Sequence, residues 1–534
     1  MRSAKNADQG KHSMTAITDL PEPTPGVVPN DIHRRFVRAA VYSGVLGGVS
    51  QALYGFTPMI VARKLGPLEY GVYSVVMSLS AIVIGVFGLG QNSALHKLVP
   101  QFYASDRQRS GTILINVLLL TSGLLTVFCA AFYWASGWIA ERLYRDASLT
   151  HVFRFCALLM LALTLFNLAS GAIAGLQDFK SYNLIQAARN FALLAFAWSG
   201  VWLAGLRGAL AGQLLASVVG LALLSFSGVR LVRERFPEGI HLVFSRQVLR
   251  IIASFILPTV LLTLFNIPTY WWASTMVARH AGFEQVGLLG VAYTLSQATF
   301  LIPMNLYTPV MTFLSEAHAS AQAEVFSAMV SANLRAMWAF SLPLALAIAL
   351  FSPLLIGALF SSAYLTAVPL TFALSFTALL MLLVGLINTA ITASGHMWHN
   401  LGITFGWMVT FVAGGLVCIP RWGAAGAAAV FASTYALYLI GVCGYASLWL
   451  QVRFERLVRL VTLTAISFGL VALISFGLRG AIAYVISASM LTVLVVAEWF
   501  WIFDSSERER LCRFAASFLH NKGFKPLTKQ GGIL

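Results

Sequence analysis

Charge is what this chain has least of. Asp, Glu, Lys and Arg make up 10% of its 534 residues, against about 25% in an ordinary soluble domain. Acids are the scarcer sign, 19 against 35 Lys and Arg. That poverty excludes a disordered chain, a collagen and a freely soluble nucleic-acid-binding domain. Cysteine is scarce too. Cys129, Cys156, Cys418 and Cys443 lie in apolar runs, Cys512 lies near the end, and no two are spaced C-x-x-C. Neither a disulfide scaffold nor a cysteine metal site follows; these are small packing residues. Alternating ten-residue strands are missing, which excludes an outer-membrane barrel.

What remains is apolar. Hydrophobic residues make up 58% of the chain and the mean hydropathy is +0.80. A helix needs about 20 apolar residues to cross a bilayer. Fourteen runs meet that length, near 37–61, 70–95, 112–135, 152–175, 183–204, 208–230, 248–277, 285–313, 328–351, 366–394, 400–420, 424–449, 457–478 and 480–503. They are rich in Gly, Ala and Ser, which let helices approach closely in lipid. The expectation is an all-α integral membrane protein with about 14 transmembrane helices. Residues 1–33, with Pro21, Pro23, Pro25 and Pro29, read as a disordered cytoplasmic tail, and residues 504–534 as a basic cytoplasmic tail. Arg34-Arg35 is the basic flank of the first helix, because no cleavage site follows.

The cations set the orientation. With both termini inside, 24 of the 35 Lys and Arg fall on the cytoplasmic side and 8 on the other; Arg154, Arg189 and Arg335 lie within helices. Cytoplasmic loops collect Lys and Arg, so the asymmetry places both termini in the cytoplasm. It also accounts for most of the net charge of +16 without a nucleic-acid partner. The loops on the opposite side are too short to hold an enzyme site.

The chain matches itself at an offset of 216 residues. Residues 54–80 fall on 270–296 with nine identities, among them Tyr54/Tyr270, Ala62/Ala278, Arg63/Arg279, Gly66/Gly282 and Gly71/Gly287. The shared V-A-R-x-x-G-x-x-x-x-G lies in a loop, where compositional bias is weakest. Six segments separate the copies, so the halves share one orientation and are related by an axis normal to the membrane. This predicts a six-helix lobe over 34–235, a second over 236–450, and two added helices over 451–503.

Residues 61–73, V-A-R-K-L-G-P-L-E-Y-G-V-Y, and 88–102, G-L-G-Q-N-S-A-L-H-K-L-V-P-Q-F, resemble segments of bacterial polysaccharide transporters. The pattern is similar to the polysaccharide transport family of the multidrug/oligosaccharidyl-lipid/polysaccharide exporter superfamily, which includes repeat-unit flippases for O-antigen and exopolysaccharide. The resemblance is specific around 54–102 and its echo at 270–296. It implies two lobes around a V-shaped cavity lined by segments 1, 2, 7 and 8. It also implies passage of an undecaprenyl-diphosphate-linked oligosaccharide from the inner to the outer leaflet of the cytoplasmic (inner) membrane. Membrane lipids and the polysaccharide polymerase machinery would be its other partners.

Such a cargo needs cations for the diphosphate and amides, hydroxyls and rings for the sugar. Arg63 and Arg279 are repeat equivalents at the outer ends of segments 1 and 7 and could converge on one headgroup; snorkelling or helix capping is the other reading. Arg154, Arg189 and Arg335 are intramembrane cations, functional by default, but each lies within about two turns of a helix end and could snorkel. His96 and Lys97 end segment 2 at the cytoplasmic entrance. Asn92, Asn266, Gln297 and Asn305, on segments 2, 7 and 8, offer amides to the cavity; binding helix to helix is the other reading. Tyr270 offers a ring face, which an interfacial belt also explains. Pro58, Pro258, Pro268, Pro303 and Pro309 make segments 1, 7 and 8 bendable. His396 and His399 share a helical face without a third ligand, so neither metal nor cofactor is expected.

Three rivals differ by residues. A multidrug extrusion antiporter would carry carboxylates in its core, yet only Glu498 lies clearly within a segment, outside the twelve core segments. A lipid II flippase would cluster cations deep in segments 1, 2 and 8, whereas segment 1 has none between Arg38 and Arg63. A membrane-embedded polymerase or ligase needs acid/base groups beside a long external loop, and a channel needs a pore-loop signature; neither is visible.

Overall fold

The computed structural model describes residues 29–240, 260–300, 323–452 and 457–477, with short pieces at 310–311, 314, 318, 486, 488–489 and 491–496. Nearly all of these are helical, and no strand occurs among the described residues. Eleven helices carry the fold: α1 (Pro29–Ile84), α2 (Gly90–Ser105), α3 (Arg107–Leu143), α4 (Thr150–Gly175), α5 (Phe179–Arg235), α6 (Pro268–Ala281), α7 (Phe283–Ser296), α8 (Ala323–Leu350), α9 (Val368–Ala393), α10 (Met397–Trp449) and α11 (Leu457–Gly477). Seven continuous helices among the described residues are long and apolar enough to cross a membrane. Large apolar side chains stand outward on them, including Trp134, Leu203, Phe226 and Leu448, as a surface facing hydrocarbon requires.

Three of the helices are two arms joined by a tight turn. α1 breaks at Gly66, α5 at Ala204 and Gly205, and α10 at Gly423. Segments 1 and 2 are thus the two arms of α1, prolonged by a π-helical turn at Gly85–Leu89 and then α2. Segments 5 and 6 are the arms of α5, and segments 11 and 12 those of α10. The first arm begins at Pro29, so residues 29–33, assigned above to the tail, are helical; residues 1–28 and 504–534 lie outside the described set. Segment 14 lies mostly outside it as well. Segment 13 is α11, which seats Phe468 between Phe372 and Phe376 of α9, at ring distances of 5.4 and 5.3 Å.

The local geometry recurs along the chain. Gly66 has φ 75°, ψ 173° and Gly282 has φ 86°, ψ 165°, at the offset the sequence repeat gives. Gly205 (φ 55°, ψ −132°) and Gly423 (φ 55°, ψ −130°) share a conformation that only glycine reaches without strain. α4 and α9 are 26 residues each. The turn after each closes in the same way. Asp178 N–H donates to the Ile173 carbonyl and Gln177 N–H to that of Ala174. His396 N–H and Gly395 N–H do the same to Ile391 and Thr392.

Of the five prolines read as breakers, Pro58 sits inside an unbroken arm of α1 and Pro268 opens α6 at its first turn, where its missing N–H costs nothing. Pro258, Pro303 and Pro309 lie outside the described residues. The sharp turns are made by glycine instead.

Candidate functional site at the seam between the halves

The second arm of α1 crosses α7 with its backbone almost touching. A β-carbon on Gly71 would collide with the Phe283 carbonyl, and one on Gly287 would collide with the Pro67 carbonyl. Gly71 and Gly287 are repeat equivalents, as are Pro67 and Phe283, so the crossing is reciprocal. Small residues at such a crossing let two membrane helices pack backbone to backbone.

Side chains from both halves close around it. Tyr70 OH meets Thr294 Oγ1 at 3.5 Å, and Ser74 Oγ meets Tyr270 OH at 3.4 Å. Tyr144 OH and Thr275 Oγ1 are 2.9 Å apart, and the Tyr144 ring stacks on Phe283. Tyr364 OH donates to the Ala62 carbonyl at 2.9 Å, and Arg63 Nη1 donates to the Ala358 carbonyl at 2.7 Å. The Arg63 and Tyr364 bonds lie beside the Gly66 turn, whereas Tyr270 and Thr294 lie twelve residues from Gly282 on either side, about 18 Å along their helices. The buried core follows the seam: Val291, Leu295, Ile356, Phe360 and Tyr364 of the second half pack with Val61, Tyr70 and Val76 of the first. Each turn is also held to its own half. Gln285 Oε1 accepts from Ala424 N–H at 2.8 Å beside Gly423, and Glu69, its repeat equivalent, stands beside Gly205.

The predicted residues fall in several places. Tyr270 is at the seam, stacked on Tyr293 at 4.1 Å. Arg63 is exposed and engaged on the opposite half, while Arg279 is exposed in the last turn of α6. Gln297 is half-buried at the end of α7, and Asn266 is exposed just before α6, its carbonyl accepting from Thr269. His96 is exposed on α2. Lys97 lies on the same helix with its side chain outside the described set, and Asn305 is outside it altogether. Arg335 is half-buried on α8. Arg154 is exposed, with its guanidinium 5.6 Å from the Tyr133 ring on α3.

Two of the residues lie inside the first half, away from the seam. Asn92 Nδ2 donates to the Asn167 carbonyl at 3.3 Å, and its head occupies the space that Gly171 leaves on α4. It joins α2 to α4. Arg189 is 6% exposed on α5. Its helix starts at Phe179, ten residues earlier, or about 15 Å of rise, so the side chain cannot snorkel to that end. Another amide, Asn388 on α9, donates through Nδ2 to Tyr438 OH on α10 at 2.9 Å.

The seam also contains residues that the sequence did not single out. Tyr70 and Gly71 were inside the quoted motif, and Gly71/Gly287 was one of the repeat identities; their mutual contact was the missing inference. Tyr364 and Ala358 carry no signal in sequence. Tyr144 has none either, since its role depends on the fold bringing α3 to α6.

This fold is similar to that of solved transporters of the MOP superfamily. A solved lipid II flippase MurJ, in an inward closed conformation, is similar with a TM-score of 0.68 at 12% identity, over 86% of this chain and 97% of that one. An inward-facing multidrug resistance MATE family transporter is similar at 0.63 and 15%, over 75% and 94%. Within that fold the chain belongs to the family described as "Polysaccharide biosynthesis protein", which matches residues 60–369. Among curated relatives, the EPS I polysaccharide export inner membrane protein EpsE of Ralstonia solanacearum is 24% identical over 388 residues, 71% of this chain and 86% of its own. The protein of the same name from Ralstonia nicotianae is also 24% identical, over 392 residues.

Proposed function

We propose that the chain carries lipid-linked oligosaccharide repeat units from the inner to the outer leaflet of a bacterial cytoplasmic membrane, by alternating access of two halves, for export of a surface polysaccharide. The observation that carries this is the reciprocal crossing of α1 and α7. It is a reciprocal contact in which the two repeats meet through equivalent glycines, at the end that we take from the charge asymmetry of the loops to be outside. It is therefore the place where two rigid halves can part without unfolding. The family and the curated relatives, which are named for polysaccharide export, supply the cargo class. An undecaprenyl-diphosphate carrier follows from the resemblance alone.

Electrostatics favour an anionic cargo. Every Asp and Glu whose side chain is described is exposed or half-exposed at a helix end or turn. A cation antiporter needs a carboxylate within the bundle, and Glu316 and Glu498 lie outside the described residues. Arg63 and Arg279, exposed at the end taken here as the exit, would meet a diphosphate on its way out, and His96 and Lys97 follow one another at the end taken as the entrance. No bond is made or broken in this scheme.

The test is a deletion strain's pool of undecaprenyl-diphosphate-linked saccharides, measured by lipid extraction and mass spectrometry beside its surface polymer. Accumulated complete repeat units with lost polymer are expected. Unchanged pools and polymer with a changed sensitivity to cationic drugs would replace this reading with extrusion. Accumulated peptidoglycan precursor would replace it with the lipid II reading.

A further inference from the structure

Three arginines from two loops converge on a pair of neighbouring rings in the first half, at the end taken as the entrance. Tyr103, near the end of α2, meets Phe236, just after α5, edge to face, with ring centroids 5.8 Å apart. Phe236 is 5% exposed and shares a buried core with Leu98, Phe102, Ile113 and Leu114. Phe236 and Ile240 also fill the space that Gly111 leaves on α3. The Tyr103 ring is therefore seated on a packed base. Arg107 on α3 and Arg235 at the end of α5 both stand over it, with Cζ 5.2 and 5.4 Å from its centroid. Arg109 stands over Phe102 at 4.7 Å. A ring attracts a cation at such distances through its quadrupole. It accepts none of the in-plane N–H bonds, so a guanidinium held this way keeps its donors for another acceptor.

The acids nearby are engaged elsewhere. Asp106 Oδ1 accepts from the Arg109 backbone N–H at 3.0 Å, Glu238 Oε2 from Gln108 Nε2 at 3.4 Å, and Glu234 Oε1 from Arg230 Nε at 3.0 Å. No carboxylate among the described residues pairs with Arg107, Arg109 or Arg235. Arg107 is exposed and the other two are half-buried, so an anion reaches the group from the surface and needs no cavity. Folding does not call for the cluster. Cations in the first turn of a helix oppose its dipole. On the 216-residue offset of the repeat, Arg107 and Arg109 fall on Ala323 and Val325, and Gln108 between them falls on Glu324. The second half thus makes the equivalent helix, α8, without either arginine.

The level is that of lipid headgroups. The apolar run of segment 3 begins at 112 and that of segment 6 ends at 230, so Arg109 and Arg235 lie about 4.5 and 7.5 Å of helical rise beyond them. The headgroup layer spans roughly the first 5–8 Å outside the hydrocarbon. We propose that Arg107, Arg109 and Arg235 bind the phosphate of an anionic lipid headgroup in the leaflet at that end. Planar guanidiniums match phosphate oxygens two at a time. Two lipids carry that chemistry, a bulk phospholipid such as phosphatidylglycerol and a polyprenyl diphosphate. The site stands whichever of them fills it and does not depend on the cargo assigned above.

The test is native mass spectrometry of the full-length protein in detergent, titrated separately with phosphatidylglycerol and with undecaprenyl diphosphate. Saturable adducts of at least one lipid are expected. Apparent affinity should fall about fivefold for each arginine removed, on the way to Arg107→Gln/Arg109→Gln/Arg235→Gln. The charge-matched Arg142→Gln/Arg145→Gln/Arg421→Gln, which changes exposed cations at the opposite end, should leave it unaltered. Tyr103→Leu keeps every charge and removes the ring. It should weaken binding severalfold, and it decides the matter if the triple variant does not fold. A loss confined to phosphatidylglycerol assigns the site to bulk phospholipid, and one confined to undecaprenyl diphosphate assigns it to the carrier. The absence of adducts with either lipid overturns the proposal. So does an affinity that the triple variant or Tyr103→Leu leaves unaltered, or that the charge-matched control lowers equally.

Discussion

The interiors of the two halves differ at equivalent depth. On α5 the residue ten positions from the helix start is Arg189, set among Asn190, Ser217 and Gly220; on α10 it is Trp407, set among Phe411, Tyr435 and Tyr438. Yet the turns that frame these interiors agree within a few degrees at Gly205 and Gly423. Turn geometry is constrained by backbone sterics, which few residues satisfy. A core position is constrained mainly by volume and by whether its polar atoms find partners. The turns agree while the core residues at equivalent depth differ.

The largest effect expected from breaking that comparison lies on the axis, where the halves are still equal. Gly71→Leu and Gly287→Leu each push a side chain into the opposite carbonyl. Overpacking of this kind costs about 1–3 kcal/mol, enough to hold the outer end open. Polymer output should fall about tenfold or more in either variant, in line with about 1.4 kcal/mol per decade. A cysteine at position 74 should become labelled from outside by an impermeant maleimide. Equal output losses would show that the two positions are interchangeable; a loss in only one would break the symmetry.

The cores should then respond unequally. Trp407→Ala removes a fully packed ring and should cost about 3–5 kcal/mol of stability. Arg189→Met should cost less than about 1 kcal/mol or raise stability, since it removes a buried charge with no ionic partner among the described residues. Thermal unfolding of the two variants side by side checks this. Similar large losses would mean that Arg189 is a structural element like its counterpart.

At the Gly66 turn, Arg63→Ala breaks a charge-assisted bond to Ala358, whereas the exposed Arg279 before Gly282 makes no such bond among the described residues. Both should lower export, Arg63 severalfold and Arg279 less, with the double variant lowest. A well-expressed double variant with normal polymer would remove the pair from the pathway. The smallest change is Tyr364→Phe, which leaves the Ala62 carbonyl without its donor at a cost of about 1 kcal/mol. Labelling at position 74 should rise slightly with no loss of expression.

Much of this was legible in sequence. Run length gave the helices because hydrocarbon thickness fixes how many apolar residues a span needs. The repeat around 54–80 gave the Gly66/Gly282 equivalence because loop residues there must make the same turn. The likeness of Gly205 to Gly423 was not legible, since one glycine in a featureless apolar stretch matches anything; only φ and ψ reveal it. The sequence marks Arg189 as an intramembrane cation but underestimates its distance from the helix start. The apolar run was read from 183, while the helix is capped by Asp178 and starts one turn earlier. Asn92 was assigned to the cavity because segment 2 lines it in the family, but amphipathic periodicity cannot say which of two neighbours an amide faces. The space opened by Gly171 on another helix settled that.

The crossing of Gly71 with Gly287 has a further consequence. If two identical polypeptides met on such an axis, a single codon would furnish both contacts, and one mutation would spoil both at once. In the fused chain two codons do that work, each able to fail alone, and neither can be rescued by its twin because each glycine faces the other copy's carbonyl. Two equivalent halves in one chain leave the interiors free to differ, while the axis presents two separate mutational targets. Sequence drift should run slowest at 71 and 287 and fastest at pairs such as 189 and 407.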